Sequence, residues 1–108
     1  MDSTRVLVVE DDDFLREIYV EILQDTGYTV DSATDGEEGL SQAIERKPDL
    51  ILLDILMPKM NGLSMLKKLR AEGPWGKSVP VILLTNLSMD EEKIYESITK
   101  DEPAFYLV

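Results

Sequence analysis

The most constraining stretch of this sequence is the apolar run Leu50–Leu53, which lies between a proline and a carboxylate. Pro48 stands just before the run, and Asp54 directly follows it. Proline cannot donate to a central ladder, so Pro48 marks the entrance of a strand and Pro58 lies beyond its exit. A short unbroken apolar run is typical of a strand buried on both faces of a parallel sheet. Asp54 is therefore predicted at the carboxyl end of a central strand, the edge where open α/β sheets bind ligands.

Four further segments are predicted to be strands. Arg5–Val9 is β-branched and aliphatic, and it leads into four consecutive acids at positions 10–13. Val79–Thr85 is a third buried strand, which ends in a hydroxyl. Thr29–Ala33 is short and half polar, as expected at the edge of a sheet, and Phe105–Val108 is predicted as the fifth strand.

Amphipathic helices are predicted after the first two strands. The apolar stripe of the first helix consists of Leu15, Ile18, Tyr19, Ile22 and Leu23. Asp12 or Asp13 is its predicted N-cap, and Gly27 is its predicted C-terminal stop. Asp35 and Glu38 resemble a capping box for the second helix, which stops before Pro48.

Two more helices complete the alternation of strands and helices. One is predicted from the turn at Asn61-Gly62 to about Ala71, and the other begins at Ser88 and has Ile94, Tyr95 and Ile98 on its inner face. Glu72–Ser78 contains two glycines and a proline and is predicted to be a loop. Five strands alternating with four helices predict one α/β domain over residues 1–108. Its parallel sheet would have the flavodoxin-like order 2-1-3-4-5, with helices on both faces.

Composition excludes several classes of function. The formal net charge of −11 argues against direct binding to nucleic acid or to an anionic membrane. The chain contains no cysteine and no histidine, which excludes thiolate and imidazole ligands and a histidine general base. No apolar run approaches the ~20 residues that span a bilayer, and no signal peptide is evident, so a cytoplasmic protein is expected.

The acids that follow the first and third strands define the expected chemistry. These strands are neighbours in the predicted order, so Glu10, Asp11 and Asp54 should meet at one edge of the sheet. Three neighbouring carboxylates repel each other, and a hard cation such as Mg²⁺ relieves that repulsion. A carboxylate can also attack phosphorus to give an aspartyl phosphate. The hydroxyl of Thr85, at the end of the adjacent strand, could donate a hydrogen bond to a phosphoryl oxygen.

With these motifs in this order, the chain resembles the receiver domains of two-component response regulators over essentially its whole length. The matching segments are Val8–Asp12, Pro48–Asp54, Met57-Pro58 with Asn61-Gly62, and Pro80–Thr85. The resemblance implies that Asp54 accepts a phosphoryl group from the phosphohistidine of a sensor kinase or phosphotransfer protein. A downstream protein or output domain would then respond to a change in a partner-binding face.

The same resemblance implies roles for the surrounding residues. Glu10 and Asp11 match the acidic pair that holds Mg²⁺ together with Asp54, and the backbone carbonyl of Leu56 matches a further ligand. Thr85 matches the switch hydroxyl, and Tyr106 matches the aromatic residue that turns inward when this hydroxyl moves. Such a switch is a population shift between two packings of one face.

The chain departs from the family pattern in two places. A lysine after the switch aromatic and a fifth helix would both follow Val108, so we expect that this sequence is cut short of the complete domain, since an uncovered fifth strand would expose sheet surface. Asn86 stands beside the switch hydroxyl, where the family usually has a small residue. A larger amide there is expected to affect rates of phosphorylation by narrowing the access to Asp54.

Three alternative functions remain beside this interpretation. A pseudo-receiver would keep the fold and act as a protein-interaction module without phosphorylation. An aspartyl-phosphate hydrolase of the haloacid dehalogenase type is disfavoured, because that family places a second acid where this chain has Leu56. A flavin carrier of the same strand order is also disfavoured, because its phosphate would meet the acids at positions 10–13.

Overall fold

The structure is a computed structural model that describes residues 4–55, 57, 60–84 and 104–107. The strands are β1 (Arg5–Val9), β2 (Thr29–Ala33), β3 (Leu50–Asp54), β4 (Val81–Leu84) and β5 (Ala104–Leu107). The helices of the described part are α1 (Asp13–Asp25), α2 (Gly36–Arg46), α3 (Gly62–Arg70) and α4 (Gly73–Ser78). The helix predicted after Ser88, with Ile94, Tyr95 and Ile98, lies outside the described residues.

The five strands form one parallel sheet in the order β2-β1-β3-β4-β5, which confirms the predicted topology. β2 lies at an edge as expected, and β5 begins one residue earlier than predicted. Across the sheet, the crossover from β1 to β2 runs in the opposite direction to the crossovers from β2 to β3 and from β3 to β4. Because parallel crossovers are right-handed, α1 covers one face of the sheet, and α2 and α3 cover the other.

The face beneath α2 and α3 holds the main hydrophobic core. Alternate residues of three strands are fully buried there: Leu7 and Val9 in β1, Ile51 and Leu53 in β3, and Val81 and Leu83 in β4. They pack with Ala43 of α2 and with Met65, Leu66 and Leu69 of α3. Because the strands are in register, these side chains form continuous rows across the sheet, which fixes the position of each strand end.

The face beneath α1 is less completely covered. Val6 and Val8 of β1 are buried there, whereas Leu52 of β3 and Ile82 of β4 are only partly buried. The prediction that β3 is buried on both faces is therefore wrong for this face. Among the described helices, α1 alone covers this side, and it packs against β1 and β2. No residue of α1 is fully buried, and Ile22 of the predicted apolar stripe is 58% exposed.

The ends of α1 follow the local chemistry of the sequence. Asp12, rather than Asp13, is the N-cap, and its carboxylate accepts a hydrogen bond from the backbone N–H of Leu15 at 3.0 Å. At the other end, Gly27 has a positive φ of 107°. The N–H groups of Gly27 and Tyr28 close a Schellman motif on the carbonyls of residues 24 and 23, so the predicted glycine stop is confirmed.

The capping box of α2 forms in a modified way. The Asp35 carboxylate accepts a hydrogen bond from the N–H of Glu38 at 2.9 Å, as predicted. The Glu38 carboxylate, however, accepts hydrogen bonds from the N–H and the hydroxyl of Thr34, at 3.3 and 2.9 Å. The helix ends at Arg46, and its C-cap Lys47 adopts a left-handed conformation directly before Pro48.

The segment predicted as a loop at Glu72–Ser78 contains a helix instead, α4. Pro74 lies in the first turn, where the lost N–H needs no partner. Gly76 packs so closely on the end of α3 that a Cβ would lie 2.2 Å from the carbonyl oxygen of Leu69. The buried Arg70 side chain donates to the carbonyls of Gly76 and Val79, at 3.0 and 2.7 Å, and so satisfies acceptors at the C-terminal end of α4.

In the part of the chain that the structure describes, no helix has the length and apolar character needed to cross a bilayer.

We expect Arg70→Met to lower the free energy of unfolding by ~2–3 kcal/mol, because it removes charged donors from buried carbonyls. The matched control is Arg46→Met, which removes an ion pair with Asp31 from a side chain that is 46% exposed and should cost ~1 kcal/mol or less. Urea denaturation of both variants measures the difference. Equal effects would show that Arg70 contributes no more than a surface ion pair.

Candidate functional site

Three carboxylates converge at the carboxyl edge of the sheet. Glu10 and Asp11 directly follow β1, and Asp54 closes β3. β1 and β3 are parallel neighbours in which Val9 is paired with Leu53, so positions 10 and 54 come side by side. One carboxylate oxygen of each acid lies within 4.8 Å of those of the other two. Glu10 is buried, Asp54 is half-buried and Asp11 is exposed, so the cluster opens to solvent on the side of Asp11.

The segment that follows β1 is tied down along its backbone. The N–H of Glu10 donates to the carbonyl of Ala33 in β2 at 3.1 Å, which extends the ladder by one residue. The N–H of Asp12 donates to the Glu10 carboxylate at 3.3 Å. Arg16, which the sequence analysis did not single out, donates to the backbone carbonyl of Glu10 at 3.0 Å. Arg16 lies about one turn into α1, close enough in sequence to reach back to the carbonyl groups that precede the helix, and this position is the signal that could have identified it.

The loop that follows Asp54 folds tightly back onto the strand. The N–H of Gly62 donates to the carbonyl of Ile55 at 2.9 Å. A Cβ at Gly62 would lie 2.3 Å from the carbonyl oxygen of Asp54, so only glycine allows this approach. Gly36 is similarly restricted, because its Cβ would lie 2.1 Å from the carbonyl oxygen of Met60. The backbone at Asp54 and in the loop that follows it is therefore held in place by close main-chain packing.

Burial and the neighbouring acids together raise the pKa of Glu10. Burial is the main reason that the pKa of Glu10 rises to about 8, and the hydrogen bond with Asp54 and the charge of Asp54 raise it further. The N–H of Asp12 opposes this shift by donating to the ionised carboxylate. The raised pKa makes the protonated form of Glu10 easier to populate near neutral pH. Tyr19 of α1 also has a raised pKa, first from burial and then from the charges of Glu10, Asp54 and Asp12.

Several residues singled out from the sequence cannot be placed in the cluster. Leu56, Thr85 and Asn86 lie outside the described residues. Tyr106 belongs to β5, where its backbone is paired with Leu83 of β4, and its side chain lies outside the described part. The backbone of β4 does reach the site, because Leu84 is paired with Asp54 and its carbonyl accepts from the N–H of Ile55 at 3.1 Å.

The donor set at this edge suits a hard divalent cation. Carboxylate oxygens are the ligands that Mg²⁺ prefers, and Mg²⁺ typically takes one or two of them together with water and phosphate oxygens. The pKa of Glu10 is raised first by burial and then by Asp54, so part of the shift reflects neighbouring negative charge. A cation bound at this point would favour the ionised form of Glu10.

Two relatives of known name resemble the chain in sequence. The transcriptional regulatory protein DltR of Streptococcus agalactiae is 43% identical over 90 residues, which cover 83% of this chain and 39% of DltR. The regulatory protein VanRB of Enterococcus faecalis is 38% identical over 92 residues, which cover 85% of this chain and 40% of VanRB. The chain thus spans about two fifths of the length of these relatives.

Two solved structures resemble the fold. The chemotaxis response regulator CheY4 of Vibrio cholerae matches with a TM-score of 0.86 and 32% identity, over 99% of this chain and 87% of CheY4. The receiver domain of the sensor histidine kinase PA1611 from Pseudomonas aeruginosa, a structure with a magnesium ion coordinated in its active site cleft, matches with a TM-score of 0.85 and 28% identity, over 99% of this chain and 85% of that one.

The family model of the response regulator receiver domain matches residues 6–101. This match includes β2, β3 and β4, all of β1 except its first residue, and every acid of the cluster. The chain therefore belongs to the response regulator receiver domain family.

Proposed function

We propose that this domain is the phosphoacceptor of a two-component phosphorelay, in which Asp54 takes a phosphoryl group from the phosphohistidine of a sensor kinase or phosphotransfer protein. The observation that carries the proposal is the convergence of Asp54 with Glu10 and Asp11 at the carboxyl edge of the sheet, in a chain of the receiver family. These are the side chains that phosphoryl transfer to a carboxylate requires.

The roles of the acids follow from their burial and their position in the fold. A carboxylate oxygen of Asp54 attacks phosphorus, the P–N bond of the phosphohistidine breaks, and the released imidazole takes up a proton. The burial of Glu10, which is only 3% exposed, disfavours it as the acceptor. Asp54 is the proposed acceptor rather than the exposed Asp11 because it closes β3, at the position where the resemblance to the family places the phosphoacceptor. The rigid backbone around Gly62 holds the acceptor in one position, which lowers the cost of aligning it with the donor.

Glu10, Asp11, Asp54 and the backbone carbonyl of Leu56 are the proposed ligands of Mg²⁺. When bound, the ion supplies neutralisation of the charge on the transferring phosphoryl group. The magnesium ion in the PA1611 receiver domain supports this assignment, because that domain has the same fold as this chain. The oxygen-only donor set and the raised pKa of Glu10 support it from the geometry of this chain itself.

The proposed response to phosphorylation involves the two strands beyond β3. Thr85 follows β4, whose last residue Leu84 is paired with Asp54, so we propose that its hydroxyl donates to a phosphoryl oxygen. Tyr106 lies in β5, next to β4, and is the proposed aromatic partner of this movement. Phosphorylation would then shift the population between two packings of a partner-binding face.

We further propose that residues 1–108 are one receiver domain of a cytoplasmic signalling protein. DltR and VanRB are named as regulatory proteins and are longer than this chain, which supports a downstream output domain or a separate partner protein. The net charge of −11 makes this domain itself a poor surface for nucleic acid or anionic membranes. Any binding to DNA would therefore belong to the output domain.

We expect the full-length protein to gain one phosphoryl group when it is incubated with acetyl phosphate and Mg²⁺, and we expect Asp54→Asn to gain none, because the amide is not a nucleophile towards phosphorus. Intact-mass analysis measures the addition, and loss of the label with hydroxylamine identifies an acyl phosphate. Asp25→Asn, an exposed acid at the far end of α1, is the matched control and should be labelled normally.

Labelling of Asp54→Asn to the extent of the wild type would show that another residue is the acceptor. Absence of label in the wild type would instead favour the pseudo-receiver interpretation.

The free energy of unfolding without metal should fall by ~2 kcal/mol or more as the pH rises between about 5 and 8. In this range the folded state binds more protons than the unfolded state, because the pKa of Glu10 is raised to about 8. Millimolar Mg²⁺ should stabilise the protein most at the alkaline end, where it no longer competes with a proton. Urea titrations at several pH values, with EDTA or Mg²⁺, measure both effects.

Glu10→Gln is the matched variant for this pH dependence, because it removes the titrating carboxyl group and keeps its size. It should flatten the fall in stability and weaken the effect of Mg²⁺. An unchanged slope in Glu10→Gln would assign the pH dependence to other acids, and a wild type whose stability does not respond to Mg²⁺ would contradict the metal site.

A further inference from the structure

We propose that Arg16 is a positioning residue for the metal-binding acids, because its guanidinium clamps the backbone that carries Glu10 and Asp11. This inference rests on the proposed Mg²⁺ site. Arg16 touches neither the proposed acceptor nor the donor in the described contacts, so it would act only through the residues that it holds. Arg16 belongs to none of the motifs that the sequence shares with the receiver family.

In the described part of the chain, the side-chain contacts of Arg16 are with the two residues that follow β1 and with the first residue of α1. Nη1 donates to the backbone carbonyl of Glu10 at 3.0 Å and approaches that of Asp11 at 3.5 Å. Nη2 lies 2.5 Å from the carboxylate of Asp13. The side chain of Arg16 is only 16% exposed, whereas that of Asp13 is 83% exposed. The bond to the Glu10 carbonyl is therefore partly shielded from water, whereas the bond to the Asp11 carbonyl is exposed. The ion pair with Asp13 contributes little by itself.

The clamp completes the anchoring of Glu10 on both sides of its Cα atom. Its N–H is bound to Ala33 of β2, its carbonyl is bound to Arg16, and its carboxylate accepts from the N–H of Asp12. With both peptide groups held, the direction of the Glu10 side chain towards Asp54 is fixed before any cation arrives. Without Arg16, repulsion between the acids would favour rotation of this segment away from Asp54.

The shape of the side chain matters more here than its charge. A guanidinium presents several N–H donors in a planar fork, so one arginine reaches two carbonyls and a carboxylate at once. The ammonium group of lysine has the same charge but is a compact point donor at the end of a shorter reach. The positioning of the acids by Arg16 favours Mg²⁺ binding, whereas its positive charge alone would disfavour Mg²⁺ binding, because a positive group near a cation site repels the cation.

The two possible roles of Arg16, positioning the acids or acting through its charge, predict opposite changes in Mg²⁺ affinity when the side chain is removed. If Arg16 positions the acids, Arg16→Met should weaken Mg²⁺ binding, by about 10-fold as is typical when a group that orients metal ligands is lost. If Arg16 acted only through its charge, the same variant should bind Mg²⁺ more tightly. Arg16→Lys separates the two effects, because it keeps the charge and loses the fork, and it should also bind Mg²⁺ more weakly than the wild type.

The experiment is isothermal titration of the whole chain with Mg²⁺ for the wild type, Arg16→Met, Arg16→Lys and the control Arg46→Met. The control removes another arginine that pairs with an aspartate, Asp31, but belongs to α2 and touches none of the acids of the site. It should bind Mg²⁺ like the wild type. Labelling by acetyl phosphate should be slow in the Arg16 variants at low Mg²⁺ and should recover when Mg²⁺ is saturating.

A second measurement tests the clamp without metal. Backbone ¹⁵N order parameters of Asp11 and Asp12 should fall in both Arg16 variants and stay unchanged in Arg46→Met. Mg²⁺ affinity equal to or tighter than that of the wild type in Arg16→Met, or unchanged order parameters, would overturn the inference. A wild type that binds no Mg²⁺ would refute the metal part of the proposed function, and rigid Asp11 and Asp12 amides in the Arg16 variants would then refute the clamp separately.

Discussion

Repulsion between three carboxylates at the ends of two neighbouring strands is the interaction on which the site depends. Glu10, Asp11 and Asp54 lie together because the apolar rows of β1 and β3 hold the two strands in one register, and a shift by one residue would move those rows to the wrong face. The hydrophobic core therefore stabilises an arrangement that the charges of the three acids oppose. The pKa of Glu10 is raised, first by burial and then by its hydrogen bond with Asp54 and the charge of Asp54.

The protein maintains this arrangement mainly through its backbone. On one side, Gly62 lets the loop after β3 pack against the carbonyl of Asp54, at a distance that excludes any larger residue. On the other side, the peptide groups around Glu10 are bound by Ala33 and Arg16. Main-chain contacts of this kind hold the backbone that carries the carboxylates. They also explain why a site built from mutually repelling groups can be ordered before the ligand arrives.

The two faces of the sheet differ in a way that suits the proposed switch. Beneath α2 and α3 the core is closely packed, and a change of side-chain packing there would be costly. Beneath α1, Leu52, Ile82 and Leu84 are only partly buried. Leu84 is the last described residue of β4 and is paired with Asp54. In the proposed switch, a change at Asp54 would enter the sheet along a strand with one firmly packed face and one less constrained face.

Local patterns in the sequence were sufficient to predict the strands and the helix caps at Asp12 and Asp35, because hydrophobic periodicity and capping chemistry act over short stretches. The strand order followed from the general rule of crossover handedness, and with it the meeting of Glu10, Asp11 and Asp54. Tertiary structure alone decided the rest. Glycines and a proline predicted a loop where α4 forms, because the Arg70 side chain satisfies carbonyls that a short helix would otherwise leave open. The incomplete cover of β3, the clamp by Arg16 and the raised pKa of Glu10 likewise depend on distances between segments far apart in the chain or on burial, and neither quantity can be measured in a one-dimensional pattern.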